Sequence, residues 1–329
     1  MEKIIPIMTC FNNNYVIPAG VCFYSLLKNA NPLFDYKIYV LHSDISEENQ
    51  KLLRQTIDEF KNGELIFKNM QNRCVDIFEQ TKIKGFYSKE MFYKFLAPNL
   101  FVDYDKIIIT DVDVCFVGDI SKEFLEIDLT DSYIGAFKVP LLKGGLACEY
   151  LKHYEKDFTK EEQEAIQYAG GYYIYNLKKM REDNLEAKFF SYIKKYSNKV
   201  IQPEQDTINI TCYPHIKPLK ANALVCAYFY DTYKTEDDFK NDLNYSEAEL
   251  RFALENPIQL HYATHVKPWN VPSCTMSKVW YEYLIKTPFY NLQMSRLQKK
   301  EDNFLKKIFS LKFGKKRLKL LYEIIKIDD

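Results

Sequence analysis

The run Lys106-Ile107-Ile108-Ile109-Thr110-Asp111-Val112-Asp113-Val114-Cys115-Phe116 joins a short β-branched segment to two carboxylates one residue apart, and then to a second apolar segment. Residues 107–109 read as a strand buried on both faces, which predicts a parallel sheet covered by helices. Asp111 and Asp113 then fall at the carboxyl end of that strand, the edge of an open α/β sheet where ligands bind. Side chains alternate along extended chain, so carboxylates at i and i+2 point the same way. Held that close, they repel one another and resist desolvation unless a cation lies between them. Such an oxygen pair suits a hard divalent metal, Mn2+ or Mg2+, shared with a phosphate. The same tripeptide also occurs in solvated turns, so the remainder of the chain has to decide between the two.

Around this run the chain alternates strand and helix. Residues 4–8, 36–41 and 65–67 read as buried strands, with helices predicted over 15–28 and 46–60 between them. That order implies right-handed crossovers and a mostly parallel sheet. Ser88 opens a further helix that Pro98 limits. Strands are expected at 133–137, 172–175 and 258–262, and helices at 176 onward, 186–196, 203–210 and 279–286. Ser246 and Glu249 form a capping box ahead of another helix. Residues 143–167 are charged and aromatic without a resolvable period, and no repeat or low-complexity linker appears.

With 45 basic and 45 acidic residues, the chain carries no overall field that would favour nucleic acid. Its 8 cysteines are scattered singly, without zinc spacing, as expected for reduced thiols of a cytoplasmic protein. The N-terminus lacks the apolar core of a secretory leader, and no stretch reaches the ~18–20 apolar residues that span a bilayer.

Four further stretches could carry chemistry. After the first strand, Asn12 and Asn14 offer donors and acceptors and Tyr15 a stacking face, suited to a nucleotide base or to an ordinary asparagine-capped turn. His261, ending a late strand, could complete a Mn2+ shell or be a satisfied core histidine, and Lys267 beside Pro268 is a point charge for a diphosphate. Glu204, Gln205 and Asp206 open a helix, where they could meet sugar hydroxyls or serve only the helix dipole. Last, Lys299, Lys300, Lys306, Lys307, Lys312, Lys315, Lys316, Arg317 and Lys319 interleave with apolar residues, the pattern of a helix on an anionic membrane surface or of a solvated terminal helix.

In order and spacing these stretches resemble glycosyltransferase family 8, the retaining enzymes that include lipopolysaccharide and lipooligosaccharide galactosyl- and glucosyltransferases. The resemblance runs from the first strand to about Trp280. It implies a GT-A fold, a Rossmann-like α/β domain over residues 1–285, followed by a basic amphipathic helical tail over 286–329. It implies a UDP-sugar donor and Mn2+, or Mg2+, with Asp111, Asp113 and His261 as metal ligands. Lys94, Asp111 and Lys267 would bind the donor, Lys267 through its phosphates, with Asn12, Asn14 and Tyr15 at the uridine and Gln205 and Asp206 at the reacting sugar carbon. A glycan or lipid-linked glycan would be the acceptor, at the inner face of the cytoplasmic membrane. The chain departs from the family at several positions. Lys94 stands where Arg is usual, and a point charge is not a planar fork. Val139 and Ala169 stand where the family contacts the donor sugar, and Thr264 replaces a glycine. These replacements keep a non-catalytic nucleotide-sugar-binding protein as the alternative. A nucleotidyltransferase fits less well, because residues 9–14 hold no glycine for a phosphate loop.

Overall fold

The computed structural model describes residues 3–81 and 88–310. Among the described residues, ten strands fall in two sheets: β1 Ile4–Cys10, β2 Asp35–His42, β3 Gly63–Asn69, β4 Lys106–Thr110, β5 Val114–Phe116, β6 Ile134–Lys138, β7 Tyr168–Asn176, β8 Ile216–Pro218, β9 Val225–Cys226 and β10 Gln259–His261. The larger sheet runs β3-β2-β1-β4-β7-β6-β8 and the smaller β5-β10-β9. β1 to β4 are parallel, as the β-α-β order requires. β4 differs from expectation on its other side, where β7 runs antiparallel from Lys106↔Asn176 to Thr110↔Tyr172. β7 is also longer than its aromatic core, since Tyr168 to Gly171 continue the same strand.

Ile107, Ile108 and Ile109 have no exposed surface. Each contributes roughly 1.5–3 kcal/mol by burial, which fixes this strand at the centre of the sheet. The chain bends at Val112 and Asp113 between β4 and β5, with Val112 buried in the core and the flanking Asp111 and Asp113 less buried. Beyond β4 the chain changes sheets. Asp111 N donates to Gly171 O at 3.0 Å in the large sheet, and Tyr262 N donates to Asp113 O at 3.0 Å from the end of the small one. The buried Gln259 amide donates to Thr110 Oγ1 at 3.0 Å and ties the two sheets together at this point.

Helix Val16–Lys28 is buried from Val16 to Leu27, a core helix rather than an amphipathic one. Its Ser25 Oγ accepts from Phe116 N at 3.0 Å, and Asn29 Nδ2 donates to Phe116 O at 2.9 Å, which sets β5 against it. A Cβ on Gly20 would lie 2.5 Å from the Phe289 ring, so the core reaches past residue 285 and takes in the start of helix Tyr290–Ser310. Lys312, Lys315, Lys316, Arg317 and Lys319 lie outside the described residues, as do the side chains of 302–310, Lys306 and Lys307 among them.

Two local expectations change. Lys89–Leu96 is a 3-10 helix, and Pro98 sits in the first turn of the short helix Ala97–Leu100, where its missing N–H costs nothing. The unreadable stretch holds helices Leu146–Leu151 and Lys160–Ala165, with Tyr154, Phe158 and Ile166 in a small cluster of their own. Each is under two turns, too short for a hydrophobic period to register. All eight cysteines are free.

Candidate active site

Asp111, Asp113 and His261 converge where the two sheets meet, with one ligand atom from each lying within 4.8 Å of the others. Asp113 is sheltered between two cations. Its Oδ2 is 2.5 Å from Lys267 Nζ, and its Oδ1 is 3.2 Å from His261 Nε2. Burial would raise the Asp113 carboxyl, but the Lys267 ammonium and the His261 ring hold it well below the ordinary carboxylate range. Burial would likewise lower His261, yet Asp113 beside it raises the imidazole to about 10. Lys267 also donates to Tyr262 O, and its ammonium lies 5.8 Å from the centre of the Trp269 ring.

The residues fit a divalent cation. His261 Nδ1 is buried without a hydrogen-bond partner, Asp113 Oδ1 has only the His261 ring beside it, and the donor set of two carboxylates and an imidazole suits Mn2+ or Mg2+. The imidazole seat depends on Gly171: a Cβ there would come within 2.6 Å of His261 Cε1. Gly171→Ala is therefore expected to push the ring aside and weaken Mn2+ binding at least tenfold, roughly the loss that follows disturbed support of a metal ligand. Electron paramagnetic resonance of free Mn2+ measures it; unchanged affinity would show that the ring does not need this seat.

Lys94 lies beneath the aspartates, 3 % exposed. Its ammonium is 2.8 Å from Asp111 Oδ1, 2.6 Å from Glu204 Oε1 and 3.1 Å from Gly170 O. Those three acceptors match the three ammonium donors, so Lys94 remains protonated. The sequence reading placed Lys94 with the donor; here every one of its donors is engaged within the protein. Glu204, which helix-dipole reasoning explained away, is its buried counter-ion. Nothing local in the sequence pairs them, since they are 110 positions apart.

Gln205 Oε1 accepts from Gly170 N at 2.6 Å, and a Cβ on Gly170 would collide with it at 2.7 Å. The Gly170-Gly171 pair thus admits Gln205 on one residue and His261 on the next. Asp206 has no exposed surface. Its Oδ2 accepts from Ile201 N and Gln202 N, both at 2.9 Å, and both oxygens lie 3.1 Å from the Tyr154 hydroxyl. Burial pushes its carboxyl up to about 7, against those hydrogen bonds. An acid raised on folding holds its proton more tightly in the native state. Its contribution is full below the unfolded value near 4 and is lost as pH rises through about 7. Asp206→Asn should flatten this fall, gaining on the order of 2 kcal/mol over wild type between about pH 5 and pH 8 in denaturant unfolding. An identical pH profile in the variant would rule this out.

On the N-terminal side, Asn12 Oδ1 accepts from Asn14 N at 3.1 Å and caps the 3-10 turn Asn13–Tyr15, while Asn14 is exposed. Asn13 is spent on structure, accepting from Ser46 N and Asn49 Nδ2. The Tyr15 ring meets Trp269 edge-on with centroids 6.1 Å apart, which brings the turn against the Lys267 loop. Val139 and Ala169 pack on the main core. Thr264 Oγ1 closes a local turn with Val266 N at 3.2 Å.

The family model described as "Glycosyl transferase family 8" matches residues 6–271. General stress protein A of Bacillus subtilis (strain 168) is 24% identical over 273 residues, 82% of this chain and 88% of that protein. A lipopolysaccharide 1,2-glucosyltransferase of Escherichia coli is 23% identical over 321 residues, 96% of this chain and 88% of its own length. The crystal structure of the galactosyltransferase LgtC with donor and acceptor sugar analogs is 18% identical, covers 86% of this chain and 96% of that one, and superposes with a TM-score of 0.66. That likeness gives the fold, GT-A. With the family match running from the first strand through the loop that carries Lys267, the chain belongs to glycosyltransferase family 8.

Proposed function

We propose that this protein is a metal-dependent retaining hexosyltransferase that moves a hexose from a UDP-sugar to a hydroxyl of a glycan acceptor, in cell-surface polysaccharide or lipopolysaccharide synthesis. The observation that carries this reading is the convergence of Asp111, Asp113 and His261 beside Lys267. Asp111, Asp113 and His261 would hold Mn2+ or Mg2+, which supplies Lewis-acid stabilisation of the diphosphate when bound. Loading requires the His261 ring to give up its proton, because a charged imidazole cannot ligate. Lys267 exchanges the Asp113 carboxylate for the donor diphosphate and shares the charge that develops on it. Asn12, Asn14 and Tyr15 form the seat for uridine. Gln205, with its oxygen committed to Gly170 N, presents its amide nitrogen to a sugar or acceptor hydroxyl. Asp206 acts as a positioning residue that holds residues 201–202 and Tyr154.

The apolar Val139 and Ala169 favour a second reading, a protein that binds the nucleotide-sugar without turning it over. Incubation with Mn2+ and a panel of UDP-sugars separates the two. Release of UDP from one sugar supports the transferase; tight UDP binding with no turnover of any sugar supports the binder. The basic tail would hold the protein on the inner face of the cytoplasmic membrane. Equal sedimentation with anionic vesicles, with and without residues after Gln298, would remove that part of the reading.

A further inference from the structure

Three successive carbonyls follow Lys267, and each accepts a hydrogen bond from a side chain of the C-terminal elements. Pro268 O accepts from the Tyr281 hydroxyl at 3.1 Å, Trp269 O from Gln293 Nε2 at 2.9 Å and Asn270 O from Lys300 Nζ at 3.3 Å. Tyr281 lies on helix Ser277–Leu284, and Gln293 and Lys300 lie on helix Tyr290–Ser310. Gln293 is 1 % exposed. A buried amide is costly unless its hydrogen-bonding groups are used, so packing alone would favour leucine here. Within the loop, Asn270 N and Val271 N both donate to Lys267 O, at 2.9 and 2.8 Å. The Trp269 ring lies 5.8 Å from Trp280 and 6.1 Å from Tyr15.

We propose that Gln293, supported by Tyr281 and Lys300, is a positioning residue of the donor site: it fixes the stem from which Lys267 reaches the diphosphate. This rests on the reading in which Lys267 holds that diphosphate. The Lys267 side chain has to leave Asp113 when the donor arrives, and a fixed backbone lets four methylenes do the moving. A loop free to drift would lower the share of conformations in which the ammonium is in range. The helix that begins at Tyr290 is thereby a part of the donor site, and not only the start of a tail.

Calorimetric titration of the full chain with UDP and with uridine, both in Mn2+, tests this. The ratio of the two affinities isolates the diphosphate contribution. Lys267→Met should lower the UDP preference about tenfold or more, the scale of a charge-assisted hydrogen bond. Gln293→Met should lower it about three- to tenfold with uridine affinity unchanged, and should add nothing in the Lys267→Met background. A purely structural glutamine would weaken UDP and uridine alike. That result, or an unchanged ratio in Gln293→Met while Lys267→Met loses it, overturns the inference alone. An unchanged ratio in Lys267→Met overturns the assignment of Lys267 and the inference with it. Should Gln293→Met fail to fold, Tyr281→Phe removes one donor oxygen from the same row of carbonyls. The same loss of preference is expected of it, and an unchanged ratio there counts against the proposal equally.

Discussion

Asp113→Asn is expected to abolish measurable Mn2+ binding and to lower UDP-sugar turnover about 10³-fold, the scale seen when a group that stabilises developing charge is removed. Asparagine keeps the shape but loses the charge that both neighbours need. Lys267 and His261, each within 3.2 Å of this carboxylate, would then face one another without a counter-ion. The imidazole would lose the partner that raises it and would titrate lower. The side chain is 15% exposed, so water softens the loss and the stability cost should lie at or below about 3 kcal/mol, the lower end for a broken buried pair. Paramagnetic resonance for Mn2+, a coupled assay for UDP release and urea unfolding read these separately. Normal Mn2+ affinity in a folded variant would refute the ligand set.

The second large effect concerns stability. Lys94→Met is expected to destabilise the protein by about 3–5 kcal/mol, because it strands Asp111 and Glu204 with no cation between them. Methionine fills the space of the stem, so the cost is electrostatic rather than a cavity. Glu204→Gln should cost much less, since Lys94 keeps Asp111 and Gly170 O as partners. Equal losses in the two variants would mean that Lys94 is not the keystone of the cluster. Urea unfolding of both supplies the comparison.

Much of this was legible in the sequence, for identifiable reasons. The isoleucine run, the capping box at Ser246 and the late strand at His261 announce themselves because local propensity and tertiary structure agree. Asp111, Asp113, His261 and Lys267 could be singled out because each ends or follows an apolar strand, and strand ends are where ligands bind in α/β folds. The antiparallel course of β7 could not be read, since nothing local distinguishes the two directions of a fully buried aromatic strand. Lys94 and Glu204 are 110 positions apart and meet only through the fold. The burial of Asp206 was hidden by its place at a helix start, where an acid is ordinary.

Set side by side, the groups at the meeting of the two sheets form a closed ledger of charge. Asp111, Asp113 and Glu204 are matched within the chain by Lys94, Lys267 and His261, the last held protonated by its neighbour. Folding and loading are therefore separable. The polypeptide does not need an external ion to hold its acids together, unlike a small zinc domain that collapses on chelation. On the proposed metal-dependent activity, a chelator should stop UDP-sugar turnover without shifting the urea unfolding midpoint, and added Mn2+ should restore turnover. On the reading in which Asp111, Asp113 and His261 hold an ion, metal supply would set occupancy of the site and leave the stability of the fold unchanged.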